Sequence, residues 1–200
     1  MTVGILAVQG DFEAHAGALE RLGAEPRFVR RASELTEIDA LILPGGESTT
    51  MLKFLEQENF LDALRRLPAE GKPLFGTCAG AILLAKDVGN PPQASLGLMD
   101  ISVERNAYGR QVQSAVRAGK TSLKDAPLEM VFIRAPIIRR LGAGVKVLAE
   151  CDGLPVAVEE SGCLATTFHP ELTTDSTLHE HFLRMVAQRP ASAELSARRR

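Results

Sequence analysis

Cys78 stands at the centre of Gly76-Thr77-Cys78-Ala79-Gly80, between the apolar runs Pro73-Leu74-Phe75 and Ala81-Ile82-Leu83-Leu84-Ala85. A strand that turns sharply into a helix at this point presents its central side chain at the carboxyl edge of a sheet, as a nucleophile elbow does, with sulfur in place of oxygen. Glycines two residues to either side remove the side chains that would collide in so tight a turn. The first N–H groups of the following helix point at the sulfur and favour thiolate over thiol. A lone cysteine between glycines is ordinarily a packing residue, so the reading depends on a second group. Phe168-His169-Pro170-Glu171 supplies it. In an extended segment, residues two apart lie on the same side of the chain, and Pro170 holds His169 out of helical geometry. The Glu171 carboxylate can then take one imidazole nitrogen and leave the other for Cys78. Cysteine nucleophile, histidine base and orienting carboxylate are the parts of an acyl-transfer triad.

A third segment, Leu41-Ile42-Leu43-Pro44-Gly45-Gly46-Glu47-Ser48-Thr49-Thr50, is an apolar strand that ends in two glycines and enters a helix. Adjacent glycines let backbone N–H groups approach a ligand, and Ser48 and Thr49 are expected to cap the helix. Gly45 and Gly46, with the N–H of Ala79, form the expected oxyanion hole. The stretch lacks the lysine and spacing of a P-loop and does not match the dinucleotide fingerprint. Cys151 and Cys163 have no partner at metal-ligand spacing and read as structural or incidental. His179-Glu180-His181 reads as a pair of surface histidines, because positions two apart on a helix point in different directions. No metal site is expected. His15 falls on the polar side of a helix whose apolar stripe is Phe12, Ala16, Leu19 and Leu22, and is expected to face solvent.

The elements that must position these groups alternate. Strands are predicted near 3–8, 27–30, 40–43 and 73–76, with helices at about 12–22, 49–67 and 79–86 between them. Such alternation implies a parallel sheet covered on both faces. Gly89-Asn90-Pro91-Pro92 breaks the pattern. Strand-like runs then follow at 98–104, 129–134, 145–150, 155–159 and 163–168, with Asp152-Gly153 as a hairpin signal. This part reads as a mixed or antiparallel extension. A last helix near 176–188 carries Leu178, Phe182, Met185 and Val186 on one stripe. The fold class is therefore α/β, a three-layer open, mostly parallel sheet with helices on both faces. All three motifs fall at strand carboxyl ends, where open α/β sheets hold their ligands. The chain is read as one domain over 1–188 followed by a flexible C-terminal tail over 189–200, which ends in Arg198-Arg199-Arg200.

These segments, in this order, resemble the class I, triad-type glutamine amidotransferases. Leu43 to Met51, Phe75 to Gly80, Val103-Glu104-Arg105-Asn106 with Tyr108-Gly109-Arg110-Gln111, Phe132 to Pro136, and Phe168 to Leu172 narrow the resemblance to the glutaminase subunits of pyridoxal 5′-phosphate synthases. It runs from the first strand to about Val186. It implies that Cys78, His169 and Glu171 hydrolyse L-glutamine through a γ-glutamyl thioester. Gly46, Glu47, Ser48, Arg105, Ile133 and Arg134 would line the glutamine pocket, Ile133 through its backbone. Ammonia would pass to a synthase subunit in a large hetero-oligomer that joins a pentose phosphate and a triose phosphate. The segments Gln9-Gly10-Asp11 and Glu47 to Thr50 are candidates for contact with that partner. No cofactor is expected on this chain. Two rivals stand beside this reading: the glutaminase of another amidotransferase, and a non-catalytic, redox-sensing α/β protein that uses the elbow cysteine.

Composition agrees with a globular enzyme and excludes other classes. The 45% hydrophobic and 24% charged residues among 200 suit one domain with a sizeable core. A formal charge of -2 offers no basic footprint for nucleic acid. Met1 to Val8 carries no charged leader and reads directly into a buried strand, no apolar run reaches membrane-spanning length, and the three cysteines make no disulfide framework, so a cytoplasmic protein is expected.

Overall fold

The computed structural model describes residues 1–106 and 114–188. The Tyr108 to Gln111 run and the expected tail from 189 lie outside the described residues. The first half of the chain runs β1 (Thr2–Leu6), α1 (Phe12–Arg21), β2 (Glu25–Val29), β3 (Ala40–Leu43), α2 (Ser48–Gln57), α3 (Phe60–Arg66), β4 (Leu74–Thr77) and α4 (Ala79–Leu84). The second half runs β5 (Ala85–Gly89), β6 (Met99–Glu104), β7 (Ser114–Thr121), β8 (Leu128–Ile133), β9 (Ile137–Leu141), β10 (Lys146–Cys151), β11 (Leu154–Glu160), β12 (Cys163–Thr166) and α5 (Thr177–Ala187).

Nine strands form one sheet in the order β2-β1-β3-β4-β12-β11-β10-β7-β8. The pairings from β2 to β12 are parallel, and those from β12 through β8 are antiparallel. The predicted parallel sheet with its antiparallel extension is thus one continuous surface. Strands β1, β3 and β4 read as uninterrupted apolar runs because both faces are covered. On one side α2, α3 and α4 pack Met51, Leu55, Phe60, Leu64 and Leu83 onto Leu41, Leu43 and Leu74. On the other, α1 and α5 pack Leu19, Leu178, Phe182 and Val186 onto Val3, Ile5, Ile42 and Phe75. The Asp152-Gly153 hairpin forms as predicted: Cys151 pairs with Leu154, and both turn residues take positive φ, 51° and 75°.

Two predicted helices differ from expectation. The predicted helix 49–67 is two helices, broken where Asn59 enters the left-handed region at φ 55°, a conformation asparagine tolerates. The predicted helix 79–86 stops at Leu84, because the amides of Leu96 and Leu98 take the carbonyls of Leu83 and Leu84. The freed chain becomes β5 of a small second sheet, β5-β6-β9. Strands β5, β7 and β9 were not foreseen. β7 reads Ser-Ala-Val-Arg-Ala-Gly-Lys-Thr and exposes much of its length, so it carries little apolar signal.

Candidate active site

β4 delivers Cys78 into the elbow, and its backbone sits at φ 48° and ψ −100°, outside the regions open to ordinary residues. Two hydrogen bonds hold that conformation: Cys78 N–H donates to the Thr166 carbonyl at 2.8 Å, and Ile82 N–H donates to the Cys78 carbonyl at 3.2 Å. The glycines are required by packing. A β-carbon on Gly76 would stand 2.5 Å from the Gly80 carbonyl carbon, and one on Gly80 would stand 2.0 Å from the Leu43 carbonyl oxygen. Helix α4 can begin directly behind the sulfur only because neither position carries a side chain. The Ala79 N–H opens α4, where no turn of helix precedes it.

β12 runs parallel to β4 and brings the His169 segment to the same edge. The His169 N–H donates to the Val131 carbonyl at 2.8 Å, tying this turn to β8. His169 Nδ1 lies 2.7 Å from Glu171 Oε1, and both side chains are buried. Pro170 to Leu172 form a single 3-10 turn, so the pair meets through a tight turn and not through an extended strand. Burial disfavours a charge on His169. Hydrogen bonding to the Cys78 sulfur and to Glu171 overcomes this and raises its pKa to about 10. Burial likewise opposes the charge on Glu171, but His15 and His169 hold its pKa below the ordinary carboxylate value. The Cys78 sulfur also lies 3.9 Å from the Ile133 carbonyl oxygen, at the outer limit for a sulfur contact.

Both histidine expectations outside the triad are corrected. His15 and His179 are 0% exposed. His15 Nδ1 lies 3.0 Å from His179 Nε2, and His15 Nε2 lies 3.2 Å from Thr77 Oγ1 and 3.5 Å from Glu171 Oε2. The signal was available: position 15 is three residues from Phe12 and four from Leu19, and position 179 is three from Phe182. Each falls on the apolar stripe of its helix. His181, also read as a surface residue, is half-buried and lies 2.6 Å from Glu159 Oε2. Cys151 and Cys163 are buried and free, and burial pushes the Cys163 thiol up to about 12, which makes it inert.

A cavity of about 290 Å³ opens over the sulfur, lined by Gly46, Glu47, Ser48, Arg105, Ile133 and Arg134 together with Cys78 and His169. Its size is near the lower end for small-molecule sites and suits an amino acid. Gln9, Asp11, Ile82, Asn106 and Pro136 also line it. Sequence reasoning had not placed these five in the pocket. Arg105 is 14% exposed at its side chain, and its Nη2 donates to Thr49 Oγ1 at 3.1 Å and to Glu47 Oε1 at 3.5 Å. Glu47, and not Ser48 or Thr49, caps α2: its carboxylate accepts from the N–H groups of Thr49 at 3.1 Å and Thr50 at 2.7 Å. Those bonds outweigh the partial burial of Glu47 and lower its pKa to about 2. The Ser48 hydroxyl donates to Gln93 Oε1 at 2.9 Å.

Of the expected oxyanion residues, Gly46 lines the cavity with φ 148°, Gly45 packs against the His169 ring, and Ala79 is buried beneath the sulfur. The Gln9 carboxamide brackets the next peptide, accepting from Glu47 N–H at 2.7 Å and donating to its carbonyl at 3.3 Å. Gly10 abuts the Gly45 carbonyl. The Gln9-Gly10-Asp11 and Gly45-Gly46-Glu47 turns therefore form one unit. Asp11, His169 and Glu171 place ligand atoms within 4.8 Å of one another. His169 Nδ1 and Glu171 Oε1 already satisfy each other in this cluster, so it belongs to the triad.

Known proteins bear on the same residues. A model of the SNO glutamine amidotransferase family matches residues 5–188. A protein of Koribacter versatilis named pyridoxal 5′-phosphate synthase subunit PdxT is 54% identical over 186 residues, which cover 93% of this chain and 96% of that protein. A protein of the same name from Solibacter usitatus is 55% identical over 187 residues, covering 90% and 97%. A crystal structure described as a glutamine amidotransferase superposes with a TM-score of 0.87 at 49% identity, covering 92% of this chain and 98% of that one. A family match over nearly the whole described chain, with relatives at this identity, is decisive: the chain belongs to the SNO glutamine amidotransferase family.

Proposed function

We propose that this chain is the glutaminase subunit of a pyridoxal 5′-phosphate synthase, releasing ammonia from L-glutamine at Cys78 for a synthase subunit to use. The observation that carries the reading is the convergence in one crevice: Cys78 in a positive-φ elbow lines the same cavity as His169, whose Nδ1 lies 2.7 Å from Glu171 Oε1. The family match and the PdxT relatives favour this over the glutaminase of another amidotransferase. An orienting carboxylate and a pocket for an amino acid argue against a redox sensor, which needs neither.

The cycle starts with the Cys78 thiol proton on its way to, or already on, His169. Cys78 Sγ adds to the side-chain amide carbon of glutamine, and the oxyanion is met by the Ala79 N–H and amides of the Gly45-Gly46 turn. One preorganised donor of this kind contributes about 3–4 kcal/mol to the transition state. His169 gives its proton to the departing nitrogen, so ammonia leaves and a γ-glutamyl thioester remains on Cys78. Neutral His169 then takes a proton from water while the water oxygen adds to the thioester carbon. Collapse expels the thiolate and releases glutamate. Arg105 holds the substrate α-carboxylate in a forked pair, while Gly46, Glu47, Ser48, Ile133 and Arg134 complete the pocket. The cycle calls on no metal or cofactor from this chain.

Ammonia released into water at neutral pH would be protonated and lost as a nucleophile. The chain therefore works within a hetero-oligomer, its synthase partner taking the ammonia through a channel and combining it with a pentose phosphate and a triose phosphate. The joined Gln9 to Asp11 and Glu47 to Thr50 turns are the proposed contact. No helix among the described residues is long and apolar enough to cross a membrane. A thiolate nucleophile and three free cysteines suit the reducing cytoplasm, where we place the complex. The test is glutamate release with and without a pyridoxal phosphate synthase subunit, for the wild-type chain and for Cys78→Ala. Stimulation by the partner and loss of activity in Cys78→Ala are expected; activity retained by Cys78→Ala would overturn the assignment.

A further inference from the structure

Behind the triad lies a buried polar chain that the cycle above does not use. Glu171 has one oxygen, Oε1, on His169 and a second, Oε2, that is buried with no hydrogen-bond partner among the described residues. His15 Nε2 stands 3.5 Å from that oxygen and makes its hydrogen bond, at 3.2 Å, with Thr77 Oγ1. His15 Nδ1 faces His179 Nε2 at 3.0 Å. We propose that His15 is a positioning residue for the triad: its Nε2–H, anchored on Thr77 Oγ1, stands 3.5 Å from Glu171 Oε2 and steadies electrostatically the carboxylate that orients His169, while His179 sets the tautomer that makes this possible. The inference rests on the triad reading given above.

The tautomer follows from the neighbours. A lone pair on His15 Nε2 would face a carboxylate oxygen at 3.5 Å and be repelled, so that nitrogen carries the proton. Nδ1 is then an acceptor and needs a donor, which only His179 Nε2–H supplies at 3.0 Å. His179 Nδ1 is left as a bare lone pair, and it is indeed buried without a partner. The alternative arrangement would bury an unmet N–H at His179 and a repulsion at Glu171. Burial keeps both rings neutral: it lowers the pKa of His15, against the pull of Glu171 and Asp11 and with the push of His169, and lowers that of His179 to about 3, where His15 and Arg21 add to burial and Glu171 opposes it.

The chemical consequence falls on one step. While His169 is an imidazolium, Glu171 has a cation beside it. Once His169 has given its proton to ammonia, that cation is gone, and the His15 N–H at 3.5 Å and the Glu171 backbone N–H are what remain beside a buried carboxylate. Without the His15 N–H, Glu171 reprotonates more easily and ceases to orient the ring.

The experiment measures glutaminase kinetics of His15→Leu and His15→Gln in the assembled complex across pH, with Cys78→Ala as control. Leucine keeps the bulk and loses the donor; glutamine keeps a donor at the position of Nε2. His15→Leu should lose roughly 10- to 100-fold in kcat with KM within about twofold. The acid limb of its kcat/KM profile should move up by about one pH unit. His15→Gln should stay within about threefold of wild type with its limb in place. Wild-type kcat and an unmoved limb in His15→Leu would overturn the proposal, as would equal impairment of both variants with neither limb moved, since that is what a packing role predicts. If His15→Leu does not fold, 15N shifts of the wild-type histidines decide: a neutral Nε2–H form at His15 supports the proposal and an Nδ1–H form overturns it. Activity retained by Cys78→Ala would mark failure of the triad reading itself; an inactive Cys78→Ala beside a fully active His15→Leu removes only the role of His15.

Discussion

Gly45 is packed against the triad with almost no clearance, and replacing it by alanine isolates how finely His169 must be placed. A β-carbon there would stand 2.3 Å from His169 Cε1, 2.9 Å from Nδ1 and 3.3 Å from Nε2. Carbon atoms settle about 3.5–4.0 Å apart, so the ring or the turn must retreat by about 1 Å. Neither moves freely. The ring is held by Glu171 at 2.7 Å and by its backbone bond to Val131 at 2.8 Å, and the Gly45 carbonyl is backed by Gly10. Gly45 does not occupy the positive-φ region, so alanine brings no backbone penalty and the effect is purely steric. A misplacement of about 1 Å costs about 100-fold in rate, or about 2.7 kcal/mol of transition-state stabilisation. Steady-state glutamate release by the assembled complex should therefore show kcat/KM of Gly45→Ala reduced about 100-fold, while the melting temperature falls by only a few degrees. Gly17→Ala is the control: its nearest atom is Arg21 Nη1 at 3.7 Å, so activity should be unchanged and stability should rise by about 0.4–1 kcal/mol. Wild-type kcat/KM in Gly45→Ala would refute the reasoning.

Arg105→Ala should raise KM for glutamine about 10- to 100-fold with little change in kcat, the cost of a charge-assisted hydrogen bond to the substrate; an unchanged KM would remove Arg105 from substrate binding. Glu171→Gln should reduce kcat without abolishing it, and its stability should depend on pH in a definite direction. Glu171 has a folded pKa below its reference value of 4.5, so its charge stabilises the fold above about 4.5, and that contribution is lost as pH falls further. The melting-temperature gap between wild type and Glu171→Gln should be widest near neutrality and close below pH 4.5; a gap that widens in acid would contradict the assignment. Gly80→Ala drives a β-carbon to 2.0 Å from the Leu43 carbonyl oxygen, backbone against backbone, so the chain should lose its cooperative melting transition; a normal transition would mean that α4 can shift away from β3.

The clustering of Cys78, His169 and Glu171 was legible because each sits in a local pattern that physics reads directly: glycines around Cys78, proline after His169, a carboxylate two residues on. The parallel half of the sheet was legible for the same reason, since β1, β3 and β4 are unbroken apolar runs between amphipathic helices. What escaped was whatever depended on distant partners. β7 forms an antiparallel pair with β8 although most of its residues are exposed and only Val116 is a large apolar residue, so tertiary pairing and not propensity makes it a strand. The cap of α2 was assigned to Ser48 and Thr49, yet the Glu47 carboxylate supplies it from the cavity wall. His15 was assigned to the polar side of its helix, and His179 to the surface because positions two apart diverge, although helical spacing placed both on buried stripes. A polar side chain on an apolar stripe should have been treated as a buried group in search of a partner, and here the partner is Glu171.

Three of the seven positive-φ non-glycine residues among the described residues gather where the substrate would sit. Cys78 at φ 48°, Asn106 at 52°, Arg134 at 45° and Gly46 at 148° all line the one cavity over the sulfur. Left-handed backbone at a non-glycine residue costs on the order of 1–3 kcal/mol, so three such residues around one pocket would be selected against unless the geometry were needed. Each follows a strand closely: Cys78 after β4, Asn106 after β6, Arg134 after β8. A chain leaving a strand in extended or right-handed geometry carries its next side chain onward, whereas a left-handed residue reverses direction and turns the side chain over the strand end. Three strands from both sheets thereby converge on one crevice, and the buried, hydrogen-bonded sheet supplies the rigidity that holds the strained residues in place.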